Sequence, residues 1–245
     1  MIDEIIFTLG KSMGAALVAV LAGFSAVAIF NGMPPGWLTD YGETPSDELL
    51  DRSKPRVNRN PWAYILSIVL ALAFIKFIFI DYRFFACGAV LMWSLAVMAL
   101  ADAKYQIVPD QLIILAFISG FGFIPFVDSW KDQMLGLIIG GGVMFLISAI
   151  AKLVMKQMAV GGGDVKLFGA LGICLGAKGV IAVMVLTCII MSINATKAML
   201  NPSTFKTEAV LNRRSTLKKF RKIVFISNCF ASILTKNMPN SITSK

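Results

Sequence analysis

The chain of 245 residues contains no histidine. That absence excludes Ser-His-Asp and Cys-His nucleophilic sites and His-ligated zinc or haem. The four cysteines, Cys87, Cys174, Cys188 and Cys229, are scattered and form no CxxC pair. Neither a zinc-thiolate knuckle nor a disulfide framework is supported. Charge is scarce as well, at 15% against 57% hydrophobic residues, where an ordinary soluble domain carries about 25% charge. Between residues 62 and 200 there is no glutamate, and the only carboxylates are Asp81, Asp102, Asp110, Asp128, Asp132 and Asp164. Any acid–base chemistry in that stretch must come from this short list.

What the chain has instead is long uncharged runs, at 12–39, 60–75, 84–101, 111–127, 133–151 and 179–196. These are of bilayer length. The first apolar stretch, roughly Ser12 to Phe30, is long for a signal-peptide core and exits into Asn31-Gly32-Met33-Pro34-Pro35-Gly36 without a small-x-small cleavage site. It reads as a retained span. The following spans are expected at about 62–80, 84–101, 111–127 and 133–151, with Trp62 and Trp130 at interfacial positions and Lys76 placed to snorkel. Residues 165–196 are too long for one ordinary span, and Gly172, Gly176, Lys178 and Gly179 divide them. As a hairpin, the first arm reaches about 20 Å at 1.5 Å per residue.

Loop charge chooses the topology. If 31–61 faces the cytoplasm, so do 101–110 and 152–166, and these three loops hold Arg52, Lys54, Arg56, Arg59, Lys104, Lys152, Lys156 and Lys166. The opposite loops hold Lys11, Arg83 and Lys131, with Lys178 if the hairpin forms. A hairpin also brings the basic tail inside, as the positive-inside rule expects. The resulting expectation is an all-α polytopic transmembrane bundle of about seven spans, amino terminus out and carboxyl terminus in. It divides into a first helix and cytoplasmic loop (1–61), a transmembrane core (62–200) and a basic tail (201–245) whose 223–234 patch reads as interfacial. The net charge of +9 is then explained by cytoplasmic loops beside a lipid bilayer, with no nucleic-acid partner.

This topology puts Asp102, at the end of one apolar run, and Asp164, at the start of another, on the same side of the membrane. Carboxylates at such edges are costly and mark functional or paired sites. Asp164 follows Gly161-Gly162-Gly163, which permits close backbone approach or positive φ. Two readings of Asp164 stay open from spacing alone, a functional carboxylate and an N-cap of the following helix. Asp110, after Pro109 and before an apolar run, reads as an N-cap. Asp81, Asp128 and Asp132 read as solvated outer-loop charges. Lys104 and Lys166 each follow an aspartate by two residues, so they do not face it on a helix and are expected to snorkel to the surface.

The segment Gly161-Gly162-Gly163-Asp164-Val165-Lys166-Leu167, continued by Phe168 to Gly176, resembles the GxGD segment of the type IV prepilin peptidases. Asp102-Ala-Lys-Tyr-Gln-Ile-Val-Pro-Asp110 is similar to that family's first aspartate with its following Ile-Pro-Asn or Ile-Pro-Asp. The resemblance covers about residues 84–196. It implies a membrane aspartyl protease of the bacterial cytoplasmic membrane, with Asp102 and Asp164 as the catalytic pair and an active site facing the cytoplasm. The substrates implied are prepilin-like proteins, cut after a glycine just before an apolar helix, and no metal or cofactor is implied. Gly161, Gly162 and Gly163 would admit the scissile bond, and Lys104 and Lys166 would attract an acidic substrate residue if they do not snorkel. Residues 31–61 contain no cysteine, whereas larger members carry two CxxC pairs there and N-methylate the product; the short, peptidase-only form is the closer match. The competing readings are a polytopic transporter using the aspartates as a cation site and a non-catalytic membrane assembly factor.

Overall fold

The computed structural model describes residues 2–39, 44–45, 47–51, 55–127, 129–155 and 161–200, and every regular element among them is helical. In order these are α1 (Ile2–Gly32), a 3-10 turn at Pro35–Trp37, α2 (Asp47–Leu50), α3 (Arg59–Ile78), α4 (Tyr82–Tyr105), α5 (Asp110–Phe121), a 3-10 turn at Ile124–Phe126, α6 (Trp130–Met155) and α7 (Gly162–Leu200). Lipid offers the backbone no hydrogen-bond partner, so apolar runs of this length close their bonds internally as helices. Five of these helices are long and apolar enough to cross a membrane, and α5 is a shorter apolar helix. The protein is an all-α, multi-pass membrane protein.

α1 begins ten residues before the expected span, so Lys11 lies within it and not at its edge. The Lys11 ammonium sits 4.5 Å from the Phe7 ring centroid and 5.3 Å from that of Tyr82 at the start of α4. Cation–π contact compensates a lysine held on an apolar helix. At the far end of the same two helices the rings of Phe30 and Tyr105 lie 6.2 Å apart. α1 and α4 therefore run in the same direction. α3 crosses α1 where Gly23 meets Ser67; a Cβ on Gly23 would come 2.6 Å from the Ser67 nitrogen. The Ser67 hydroxyl donates to Ala63 O at 2.8 Å and to Val20 O at 3.3 Å, so it is buried with partners.

The end of the bundle opposite the motifs is closed by aromatics. Phe84 stacks edge-on with Phe77, Phe123 and Phe126 at 5.4, 4.9 and 5.4 Å. Asp81, expected as solvated charge, instead caps α4 by accepting from the Arg83 nitrogen at 2.7 Å.

The α6–α7 pair decides between one helix and two over 165–196. On α6, a Cβ at Gly136 would meet both Gly172 O and Gly176, and a Cβ at Gly140 would meet both Phe168 O and Val180. Moving one turn along α6 thus moves four residues backwards on α7 before Gly176 and four residues forwards after it. A straight helix cannot do this, so the chain reverses at Gly176, whose φ is 71° and ψ 178°. The expected hairpin is present. The first arm is antiparallel to α6 and the second parallel to it. Counting both arms, seven apolar segments lie side by side, although the first arm and α5 are too short for the full ~30 Å hydrocarbon layer.

The reversal also corrects Asp132, which is not a solvated loop charge. It occupies the first turn of α6, and its carboxylate lies against Gly176 where the second arm begins. A carboxylate there favours the new helix N-terminus, and no side chain fits between them. Trp130 is exposed at the start of α6, as an interfacial residue should be. Asp128, the tail from 201 and its 223–234 patch lie outside the described residues.

Two outcomes follow from this packing. Gly172→Val would push its Cβ into the Gly136 backbone and within 2.7 Å of the Leu137 nitrogen, and should cost about 3 kcal/mol or more of stability in a detergent melt. Gly142→Ala, with nothing within 4 Å, should be neutral or stabilising by about 0.5–1 kcal/mol. The reversal predicts that a cysteine replacing Lys178 is labelled by an impermeant thiol reagent from the side of the membrane opposite to a cysteine replacing Gln106. Labelling of both from one side would show α7 to be a single span.

Candidate functional site

Asp102 lies in the last turn of α4. The helix ends because Gln106 adopts a left-handed conformation (φ 59°, ψ 31°), with its N–H donating to Asp102 O at 3.0 Å. The chain then runs extended through Ile107, Val108 and Pro109 into α5, since Pro109 lacks an N–H and restricts the residue before it. Asp102 is exposed at this end of the bundle.

Asp164 lies in the first turn of α7. It is not the N-cap; α7 starts at Gly162, and the Asp164 N–H donates to Gly161 O at 3.1 Å. Its side chain is therefore released from capping and stands exposed at the helix start. The three glycines differ in role. A Cβ on Gly163 would lie 3.2 Å from Val108 Cβ, so this glycine lets α7 close on the α4–α5 connection. Gly162 has open space around it, and Gly161 has only the Asp164 carboxylate, at 3.8 Å. The expected left-handed glycine is not in this triplet; among the described residues it is Gly176.

The Gly163–Val108 contact brings the start of α7 against the α4–α5 connection, and so places the two motif aspartates at one end of the bundle. The two lysines do not snorkel freely, as their spacing suggested. Lys166 Nζ forms an ion pair with Asp110 Oδ2 at 2.7 Å, tying the first turn of α7 to that of α5. Lys104 Nζ donates to Arg56 O at 2.7 Å and lies 5.1 Å from the Tyr105 ring centroid. Asp110 is thus more than a cap. It occupies the first position of α5, with Pro109 as N-cap, and its carboxylate is committed to the glycine-motif lysine. Sequence spacing gave no signal for this pair, because its members are joined only by the folding of α5 and α6 between them.

Beside Asp164 a groove of about 470 Å³ opens between α5, α6 and the first arm of α7. Ile113, Phe117 and Leu137 form its walls, Gly141 and Gly169 its floor, and Val165 and Lys166 the rim next to Asp164. The floor is shallow side-chain cover over backbone, since a Cβ on Gly169 would lie 3.7 Å from Gly141 Cα. Such a trough accepts an apolar helix closely. Among the described residues no three His, Cys, Asp or Glu side chains gather as a metal site.

Comparison with known proteins fits this geometry. Residues 89–196 match the model of the type IV leader peptidase family. A prepilin leader peptidase/N-methyltransferase of Bacillus subtilis (strain 168) is 31% identical over 108 residues, covering 43% of this chain and 42% of the relative. A protein of the same description from Neisseria gonorrhoeae is 32% identical over 95 residues, covering 36% of this chain and 32% of the relative. The chain therefore spans less than half the length of these curated relatives. No solved structure matches it significantly. The matched stretch contains Asp102, Asp110, the Gly161–Asp164 turn, the groove and both arms of α7, so it is over the site itself that the chain is similar to the type IV leader peptidase family.

Proposed function

We propose that the protein is an aspartic endopeptidase that removes the leader peptide of type IV prepilin-like proteins at the cytoplasmic face of a bacterial inner membrane. The observation that carries this reading is the meeting of Asp102 and Asp164. They lie on different helices with two helices between them in sequence, yet the Gly163–Val108 contact puts both at one end of the bundle. Orientation towards the cytoplasm rests on the Lys and Arg content of the loops at that end.

The chemistry follows from two carboxylates in one site. Both cannot ionise cheaply, so the pair shares a proton near neutral pH. The ionised member takes a proton from water as the water oxygen attacks the peptide carbonyl carbon. The protonated member donates to the carbonyl oxygen, giving a neutral gem-diol. Collapse of that intermediate breaks the C–N bond as a proton passes to the amine, and the pair returns to its starting charge. The substrate's apolar helix lies along the groove between α5, α6 and α7. Its extended cleavage segment then crosses the Asp102–Asp164 end, where Gly161 and Gly162 leave room for a second backbone.

Co-expression with a prepilin-like substrate tests the assignment. Asp102→Asn and Asp164→Asn should each lower cleavage by about 10³-fold or more, and cleavage persisting in both would refute the protease mechanism. Loss of ion flux in these variants, without any cleavage by the wild type, would favour a transporter.

Filling the groove should act on binding and not on chemistry. Gly169→Ala places its Cβ at ordinary contact, 3.5 Å from Leu137 Cδ1, so the fold should accept it. Combined with Val165→Phe it should raise KM about tenfold while kcat changes little. An unchanged KM would remove the groove from the substrate path.

A further inference from the structure

The connection between α1 and α3 reaches the motif end of the bundle through a chain of hydrogen bonds. Asn31, in the last turn of α1, holds the backbone of Val57 from both sides: Nδ2 donates to Val57 O at 3.0 Å and Oδ1 accepts from Val57 N at 2.9 Å. Next to it, Arg56 Nη1 donates to Phe30 O at 3.0 Å. That carbonyl belongs to the carboxyl-terminal turn of α1, where a cation complements unsatisfied carbonyls. The Arg56 carbonyl in turn accepts from Lys104 Nζ at 2.7 Å. Lys104 lies two residues beyond Asp102, in the same closing turn of α4.

That closing turn has reason to need support. It ends on a left-handed Gln106, and its final carbonyls have no helical N–H to meet them. Terminal turns fray unless side chains or packing hold them. Here the turn rests on α1 through the Phe30 and Tyr105 rings, 6.2 Å apart, and on the 56–57 segment through Lys104. Asp102 is part of this turn, and displacement of a catalytic group by about 1 Å costs about 10²-fold in rate.

We propose that Arg56 and Val57 form a strap between α1 and α4, and that Lys104, Asn31 and the Arg56 carbonyl are positioning residues that hold Asp102 in register with Asp164. This rests on the proposed peptidase reading for its effect on rate. The strap itself does not depend on that reading. It also gives Lys104 a role within its own chain, since one of its three ammonium donors goes to the Arg56 carbonyl.

The test uses the full chain in lipid nanodiscs with a prepilin-like protein as substrate. Lys104→Met keeps the aliphatic stem and removes the donor, and should lower kcat tenfold or more with KM within about twofold. Lys104→Arg, which keeps a donor, should recover most of the rate. Asn31→Ala acts on the same strap from the other helix and should give a similar kcat loss, and the double variant should be no worse than the poorer single one. Hydrogen exchange supplies a readout free of the chemistry: the Gln106 amide, bonded to Asp102 O, should exchange about tenfold faster in either single variant. Multiplicative losses in the double variant, a change confined to KM with acidic substrates, or unaltered Gln106 exchange would each overturn the strap. Should the wild type cleave nothing, the peptidase reading fails while the exchange result still decides this one.

Discussion

Backbone-on-backbone contact between α6 and the two arms of α7 is the constraint on which the arrangement depends. Gly136 touches Gly172 and Gly176, and Gly140 touches Phe168 and Val180, so one helix passes between two arms with almost no side chain separating them. Lipid tails are as apolar as leucine, so helices in a bilayer gain little by burying leucine and much by close approach. Glycine at 136, 140 and 172 supplies that approach, and glycine at 176 supplies the left-handed residue that lets the chain turn back. Because the first arm ascends beside α6, its first turn is delivered to the end at which α4 finishes. Asp164 and Asp102 share one end of the bundle for that reason.

Around that meeting the charges are arranged in pairs. A carboxylate within reach of another is held apart from it by cost, unless cations or a shared proton compensate. Of the two nearby lysines, Lys166 pairs with Asp110 and Lys104 donates to the Arg56 carbonyl. Each ties the turn bearing an aspartate to a neighbouring element: α7 to α5 in one case, α4 to the α1–α3 connection in the other. The ion pair is half-exposed, so its direct contribution to stability is small, at most about 1 kcal/mol. Its consequence is geometric, since it joins the starts of two helices that bear on the same site.

Much of this was legible in the sequence because membrane insertion enforces simple rules. Uncharged runs placed the helices, loop lysines and arginines set the expected topology, and the absence of histidine and glutamate from the core left six aspartates, from which topology and the family resemblance singled out two. The hairpin at 165–196 was legible too, from the glycines and Lys178 that break it. What could not be read was side-chain choice across long sequence separations. Asp110 looked like a cap but pairs with Lys166, 56 residues on. Lys104 looked like a snorkelling lysine but reaches a carbonyl 48 residues earlier. Asp132 looked solvated but faces Gly176. Each of these depends on which helix ends are neighbours, and no periodicity or local spacing encodes that.

The two motif aspartates stand at helix ends, and the peptide hydrolysis proposed above would give that placement a reason. Water must reach a carboxyl pair, and a peptide bond within an α-helix is shielded by its own hydrogen bonds, so the segment to be cut must be extended. At the level of Asp102 and Asp164 the chain itself is in transition, with α4 ended by Gln106, residues 107–109 extended, and α7 just begun behind open glycines. An incoming chain can be extended there and still be helical one turn further in, where the walls become Ile113, Phe117 and Leu137. A change from polar turn to apolar trough over so short a distance would select for a substrate that makes the same change in its own sequence. Recognition of that kind needs no pocket for any single side chain. On the proposed peptidase reading, the junction of an extended leader with an apolar helix is itself what the site would fit.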